Sequence, residues 1–225
     1  MTNTLHRWGD RESLRDDYII FAMPAKGQND TGCTPALKRF LELAIRHEPV
    51  NIGDAKRGGA YRGPEAVSPL NHWFPHTKAD FRAVIDGIDG YTVAAAVFDR
   101  ADKLEAFLRD VKAADLGMCV NISAVTDIAR AALERVGITR HSVEYSLPFR
   151  FGRTEMLPDR RTLELYTMCG HGMVSANMAR KMRDWVREGR RTPQEGARYL
   201  AKFCTCGIYN VARAARLLEE GRGTH

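Results

Sequence analysis

The stretch that decides the fold reads YTVAAAVF at residues 91–98, and a second apolar stretch, LGMCVNI, follows at residues 116–122. Both have the length of a strand, and their nearly continuous apolar character is typical of strands covered on both faces of a sheet. The residues between them predict a connecting helix, because apolar side chains recur there at helical spacing (Leu104, Phe107, Leu108 and Val111). This strand–helix–strand unit indicates an α/β protein with a layered sheet.

The same alternation of strands and helices continues on both sides of this unit. Further strands are predicted at residues 17–23, 50–53 and 141–149. Further helices are predicted from Pro35, over residues 81–88, and up to Gly137. This spacing fits an open parallel sheet and a ferredoxin-like sheet equally well.

The last third of the chain has a different pattern. Residues 1–162 are predicted to form the α/β core, and residues 163–225 a C-terminal helical segment of the same structural domain. A final strand is predicted at residues 163–168. Three helices are predicted to follow, over residues 174–186, from Thr192-Pro193, and over residues 208–218.

Composition and charge narrow the classes of function. The chain has 225 residues, of which 44% are hydrophobic and 28% charged, as in an ordinary globular protein. It has no apolar run of the roughly 18 residues that a membrane helix needs, and its start lacks a signal-peptide pattern, which predicts a cytoplasmic protein with no membrane partner. The net charge of +6 fits a small anionic substrate. Nucleic acid is not favoured as a partner, because basic residues occur throughout the chain without a basic–aromatic motif. A homo-oligomer is compatible with the sequence.

The cysteines indicate where the chemistry lies. Three of the five cysteines fall between residues 169 and 206, and grouped cysteines in a cytosolic chain indicate a metal site or catalysis. Cys169-Gly170-His171-Gly172 lies at a predicted helix start, where free amides favour a thiolate. Cys204-Thr205-Cys206-Gly207 places two soft ligands on one turn. The two helices between these motifs can fold back as a hairpin, which predicts one joint site.

The leading hypothesis for this site is a [4Fe–4S] cluster that has three cysteine ligands and one open iron. The open iron would act as a Lewis acid on a small anionic substrate, in a lyase reaction that eliminates water or sulfide. The predicted metal ligands are Cys169, Cys204 and Cys206. The predicted catalytic residues are His171 and Lys26, and the predicted substrate-binding residues are Arg57, Arg62 and Asn210.

Three alternatives remain open at this point. His171 could complete a Cys3His zinc site. A cofactor-free isomerase or racemase could use Cys169 as its acid–base residue; residues 169–172 resemble the Cys-Gly-His-Gly stretch of proline-racemase-type enzymes, and that resemblance implies an acid–base cysteine at a helix start. The third alternative is a non-enzymatic, zinc-stabilised binding protein.

Overall fold

The structure is a computed structural model that describes residues 7–61, 78–139 and 152–222. Arg62 and the strand predicted at residues 141–149 lie outside the described residues.

The described strands form one five-stranded sheet. They are β1 (Tyr18–Met23), β2 (Asn51–Asp54), β3 (Gly58–Gly59), β4 (Ala94–Phe98) and β5 (Cys119–Ser123). Their order across the sheet is β3-β2-β4-β1-β5, and each pairing is antiparallel. The first strand in the sequence is therefore hydrogen-bonded on both sides, to β4 and to β5.

Helices connect the strands and continue beyond them. They are α1 (Arg11–Leu14), α2 (Thr34–Ile45), α3 (Phe81–Gly87), α4 (Ala101–Ala114), α5 (Thr126–Val136), α6 (Arg160–Tyr166), α7 (Ala176–Arg187), α8 (Pro193–Ala201) and α9 (Val211–Glu220). The crossovers β1-α2-β2 and β4-α4-β5, combined with this strand order, are the ferredoxin-like arrangement. The predicted α/β fold with a C-terminal helical segment is confirmed, and its sheet is antiparallel.

The sheet has a hydrophobic core on each of its two faces. Along β1, Ile19 and Phe21 point into the core shared with α6–α9, whereas Ile20 and Ala22 point into the core shared with α2–α5. Both sets are buried because successive side chains of a strand alternate between faces. The C-terminal helices thus cover the second face of the sheet, which explains why β1 and β4 are buried at every residue. The predicted burial of the second apolar stretch on both faces is wrong, because β5 lies at the edge of the sheet and none of its residues is fully buried.

The strand predicted at residues 163–168 is wrong, because the chain forms α6 there. Asp159 caps this helix by accepting a hydrogen bond from the Thr162 amide, at 3.1 Å. Thr162, Leu163, Glu164 and Leu165 are all buried. A short helix that is buried all round carries no amphipathic period, so its sequence resembles that of a buried strand.

A buried ion pair connects α9 to the start of β1. The Arg213 guanidinium donates to the Asp17 carboxylate at 3.0 Å, and both side chains are 0% exposed. Arg213 also donates to the Trp8 carbonyl and to the Ser13 hydroxyl, each at 3.0 Å. Arg7 forms a second ion pair with Asp17. The segment before β1 is thereby held against the last described helix.

Candidate metal centre

The first half of the site is the loop between α6 and α7. Gly170 and Gly172 both adopt left-handed backbone angles, with φ of 78° and 66°. Residues with a Cβ rarely adopt this conformation, so the two glycines allow the chain to turn twice within four residues. As a result Cys169 points inward and is 0% exposed, whereas His171 lies at the surface.

The second half is the loop between α8 and α9, and it packs directly on the sheet. Gly207 has φ of 67°, and a Cβ on it would lie 2.5 Å from Gly53 Cα and 2.6 Å from Gly59 Cα. A Cβ on Gly53 would lie 2.1 Å from the Cys206 carbonyl oxygen. Only glycine fits at these points, so three glycines allow the turn that carries Cys204 and Cys206 to lie against β2 and β3.

The two loops bring three cysteines and one histidine together. Cys206 Sγ lies 3.2 Å from His171 Nδ1 and 3.4 Å from Cys204 Sγ. The ligand atoms of Cys169, His171 and Cys206 all lie within 4.8 Å of one another. These residues form a Cys-His-Cys cluster that could hold a metal ion, with Cys204 in contact with it.

Hydrogen bonds within this cluster shift the acidity of its groups. Donation from Cys204 and from Cys206 holds the pKa of the Cys169 thiol far below its ordinary value. Cys204 shows the opposite effect, since its hydrogen bonds to Cys169 and Cys206, together with complete burial, raise its pKa well above the ordinary value. The interaction with Cys169, followed by that with Cys206, raises the pKa of His171 to about 10. In the absence of a metal ion these shifts favour a thiolate at Cys169 and the protonated forms of Cys204 and His171.

The four side chains of the cluster differ in their exposure to solvent. Cys169 and Cys204 are fully buried within the core shared with α6–α9, Cys206 is half-buried, and His171 is exposed. Behind the sulfur atoms, the buried Tyr209 hydroxyl donates to the Leu165 carbonyl at 3.1 Å. The α8–α9 loop packs on the sheet, and the exposed imidazole of His171 contacts Cys206 on the solvent side.

The other predicted site residues lie elsewhere or have structural partners. Lys26 is exposed in the turn after β1. Arg57 pairs with Asp89 at 3.5 Å, and its side chain packs beside Gly87 of α3. Asn210 is fully buried, caps α9 by accepting from the Arg213 amide, and donates to Asp17. The described hydrogen bonds of Asn210 thus hold α9 in place. The catalytic role predicted for Lys26 and the substrate-binding roles predicted for Arg57 and Asn210 stay predictions.

The sequence did not predict a role for the glycines of the sheet on which the α8–α9 loop packs. Gly53 ends the strand predicted at residues 50–53, and Gly59 lies in the following glycine-rich loop, whose Arg57 and Arg62 were predicted to bind substrate. Their contacts with Gly207 give these glycines a different role, which is to admit the turn that carries Cys204 and Cys206. The adjacent pair Gly58-Gly59 was the available signal, because glycine within a strand often marks a close backbone approach.

No known protein family, curated protein or solved structure matches this chain in the three comparisons made. Among the described residues, no helix has both the length and the apolar character that crossing a bilayer requires.

Proposed function

We propose that this chain is a zinc-binding protein in which Cys169, Cys204, Cys206 and His171 hold one Zn²⁺ ion. The spacing of the ligand atoms carries this proposal. Around a tetrahedral zinc ion with Zn–S bonds of about 2.3 Å, neighbouring sulfurs lie about 3.8 Å apart, and a sulfur and a nitrogen about 3.6 Å. The distances in the site, 3.4 Å between the sulfurs of Cys204 and Cys206 and 3.2 Å between Cys206 Sγ and His171 Nδ1, are each about 0.4 Å shorter, so a small outward movement of these side chains would admit one ion.

The same spacing disfavours the [4Fe–4S] cluster predicted from the sequence. In a cubane each cysteine binds a different iron atom, so its ligand sulfurs stand further apart than the ligands of one ion. The contact between Cys204 and Cys206 leaves little room for such a cofactor. The lyase reaction predicted from the sequence depends on an open iron. This reaction stays a prediction, and metal analysis tests it.

The ligand atoms of Cys169, His171 and Cys206 lie within 4.8 Å of one another, and with Cys204, which contacts Cys206, as the fourth ligand the zinc would have a structural role. Catalytic zinc sites keep one coordination position for water or substrate, whereas structural sites fill all four positions with side chains. An ion bound here would join the α6–α7 loop to the α8–α9 loop, and the second of these loops packs on Gly53 and Gly59. The ion would therefore hold the C-terminal helices on the sheet.

Metal analysis of protein purified without a chelating resin tests the proposal. The chain should be purified anaerobically and analysed for zinc and iron by mass spectrometry, together with an absorption spectrum. We expect about one zinc per chain and no visible colour. About four irons per chain with broad absorption would contradict the proposal and support the cluster, and a metal-free protein would support acid–base chemistry at Cys169.

A matched pair of cysteine variants locates the ion. Cys206→Ser removes a ligand and should abolish stoichiometric zinc. Cys119→Ser removes an exposed cysteine of β5 and should retain it. Equal zinc content in the two variants would place the ion at a different site.

A further inference from the structure

The net charge of the chain is concentrated in its last quarter. Residues 1–170 contain 23 Lys or Arg and 23 Asp or Glu. Residues 171–225 contain 11 Lys or Arg and five Asp or Glu, which accounts for the whole formal charge of +6. Although basic residues occur along the entire chain, an unbalanced positive charge occurs only in the segment that carries α7, α8 and α9.

Much of this charge surrounds aromatic rings on the α7–α8 hairpin. Lys181 Nζ lies 5.2 Å from the centroid of the Trp185 ring, and the Arg190 guanidinium lies 4.9 Å from it. Lys202 Nζ lies 5.8 Å from the Tyr199 ring. Cations at such distances are attracted by the negative faces of the rings.

Arg191, in the loop between α7 and α8, lies near an aromatic residue of each helix. The Arg191 amide donates to the Trp185 carbonyl at 3.2 Å. The Arg191 charge also acts on Tyr199, where it partly offsets the rise in pKa caused by burial. We call this surface the basic–aromatic face, and it consists of Lys181, Trp185, Arg190, Arg191, Tyr199 and Lys202.

Several cations of the hairpin have no carboxylate partner among the described residues. The ion pairs in the described parts of the chain include Arg187 with Asp184 and Arg190 with Glu188, but none involves Lys181, Arg191 or Arg198. Lys181 and Arg198 are exposed, and Arg191 is partly exposed. These side chains can therefore pair with an external anion without first breaking an ion pair.

We propose that the basic–aromatic face binds single-stranded nucleic acid. Cations spread over two helices match a chain of phosphates better than one small anion, which would need them to converge. Aromatic rings among the cations provide surfaces on which bases stack. A lipid surface fits less well, because the apolar side of α7 (Ala179, Met182 and Val186) is buried in the core, and the large exposed apolar side chains of the described residues lie outside α7 and α8.

Binding of labelled oligonucleotides to the zinc-loaded full chain tests this proposal. Fluorescence anisotropy would use single-stranded RNA and DNA of about 20 nucleotides with the same sequence, and the corresponding duplex. We expect salt-dependent binding of single strands that exceeds binding of the duplex. The comparison between RNA and DNA identifies which sugar is preferred.

Two charge-reversal variants separate the basic–aromatic face from overall charge. Lys181→Glu combined with Arg191→Glu should weaken binding at least tenfold and should lower the slope of log affinity against log salt by about two. Arg82→Glu combined with Arg130→Glu makes the same change of net charge at exposed positions of α3 and α5, and it should have little effect. Zinc content should remain unchanged in both variants, which separates this test from that of the metal site.

Specific outcomes would overturn the proposal. Equal weakening by the two double variants would show attraction to net charge alone. Preferential binding to vesicles that contain anionic lipid, or no binding of single strands at physiological salt, would also exclude it. Trp185→Leu tests stacking separately, since it keeps every charge and should still weaken binding severalfold.

Discussion

At the level of single residues, the protonation of the cluster determines how zinc binding depends on pH. Cys204, whose pKa is raised well above its ordinary value, and His171, whose pKa is about 10, both carry a proton at neutral pH in the metal-free protein. Zinc ligands must be deprotonated, so zinc binding should release at least about two protons. The apparent affinity should therefore rise by a factor of about 100 per pH unit near neutrality and fall as the pH falls.

Calorimetry in buffers with different ionisation enthalpies would count these protons directly. The slope of the observed enthalpy against buffer ionisation enthalpy equals the number released. A slope near zero would show that the ligands are already deprotonated, which disagrees with the hydrogen bonds within the cluster.

The exposed and buried ligands should respond differently to substitution. His171 lies at the surface, so water can replace its imidazole. His171→Ala should weaken zinc binding by more than the roughly 10–100-fold that loss of a group supporting a ligand costs, while the fold persists. Cys204 is fully buried, so Cys204→Ala removes a ligand and leaves a gap in the core. It should lose both zinc and stability. The absorption spectrum of the cobalt-substituted protein would check this difference, because a water ligand in His171→Ala changes the coordination sphere. Identical loss in the two variants would argue against an outward-facing histidine.

At the level of secondary-structure elements, the α8–α9 loop lies in close contact with the sheet. Adding one methyl group at Gly53 should therefore destabilise the protein. Gly53→Ala places a Cβ 2.1 Å from the Cys206 carbonyl oxygen, so the turn that carries Cys204 and Cys206 must move away from β2. Such overpacking costs about 1–3 kcal/mol. Urea denaturation of the zinc-loaded protein should show a lower free energy of unfolding, and competition with a chelator should show weaker zinc binding.

Gly87→Ala provides the control for this change. A Cβ on Gly87 meets only the end of the Arg57 side chain, at 3.8 Å, which is an ordinary contact. This variant should unfold at the same urea concentration as the wild type or higher. If Gly53→Ala behaved in the same way, the turn would not be held against the sheet.

The strands and helices also show how much of the structure the sequence predicts. Residues 91–98 contain β4, whose residues are all buried, and residues 116–122 contain β5 except for its last residue, Ser123. The start at Thr192-Pro193 correctly locates α8. The helix α6 was missed, since burial all round removes the period that distinguishes a helix from a strand. The cysteine motifs predicted a joint site. Its ligand spacing depends on how the α8–α9 loop rests on Gly53 and Gly59, a contact between distant residues that no local pattern contains.

At the level of the whole molecule, the ion pair between Asp17 and Arg213 connects parts of the chain that are far apart in sequence. Asp17→Ala would leave Arg213 as a fully buried cation and would remove one ion pair of Arg7. Breaking a buried pair from one side typically costs about 3–5 kcal/mol. Thermal unfolding should therefore begin at a clearly lower temperature in this variant.

A surface pair gives the corresponding control. Glu219→Gln removes the carboxylate that faces Arg222 at 3.4 Å, and both side chains are largely exposed. Solvent screens such pairs, so the midpoint of thermal unfolding should not change measurably. If both variants unfolded at the wild-type temperature, the buried network would contribute nothing to stability.

The position of β1 in the middle of the sheet has a consequence for synthesis on the ribosome. This strand is translated before both of its neighbours, and one of its faces stays bare until α6–α9 have been made. Between the end of β5 at Ser123 and the end of α9 at Glu220, translation at about 5–20 residues per second takes roughly 5–20 s. During that interval Ile19 and Phe21 are exposed on a nascent sheet. We therefore expect ribosome-associated chaperones to bind the growing polypeptide until α9 has emerged from the exit tunnel.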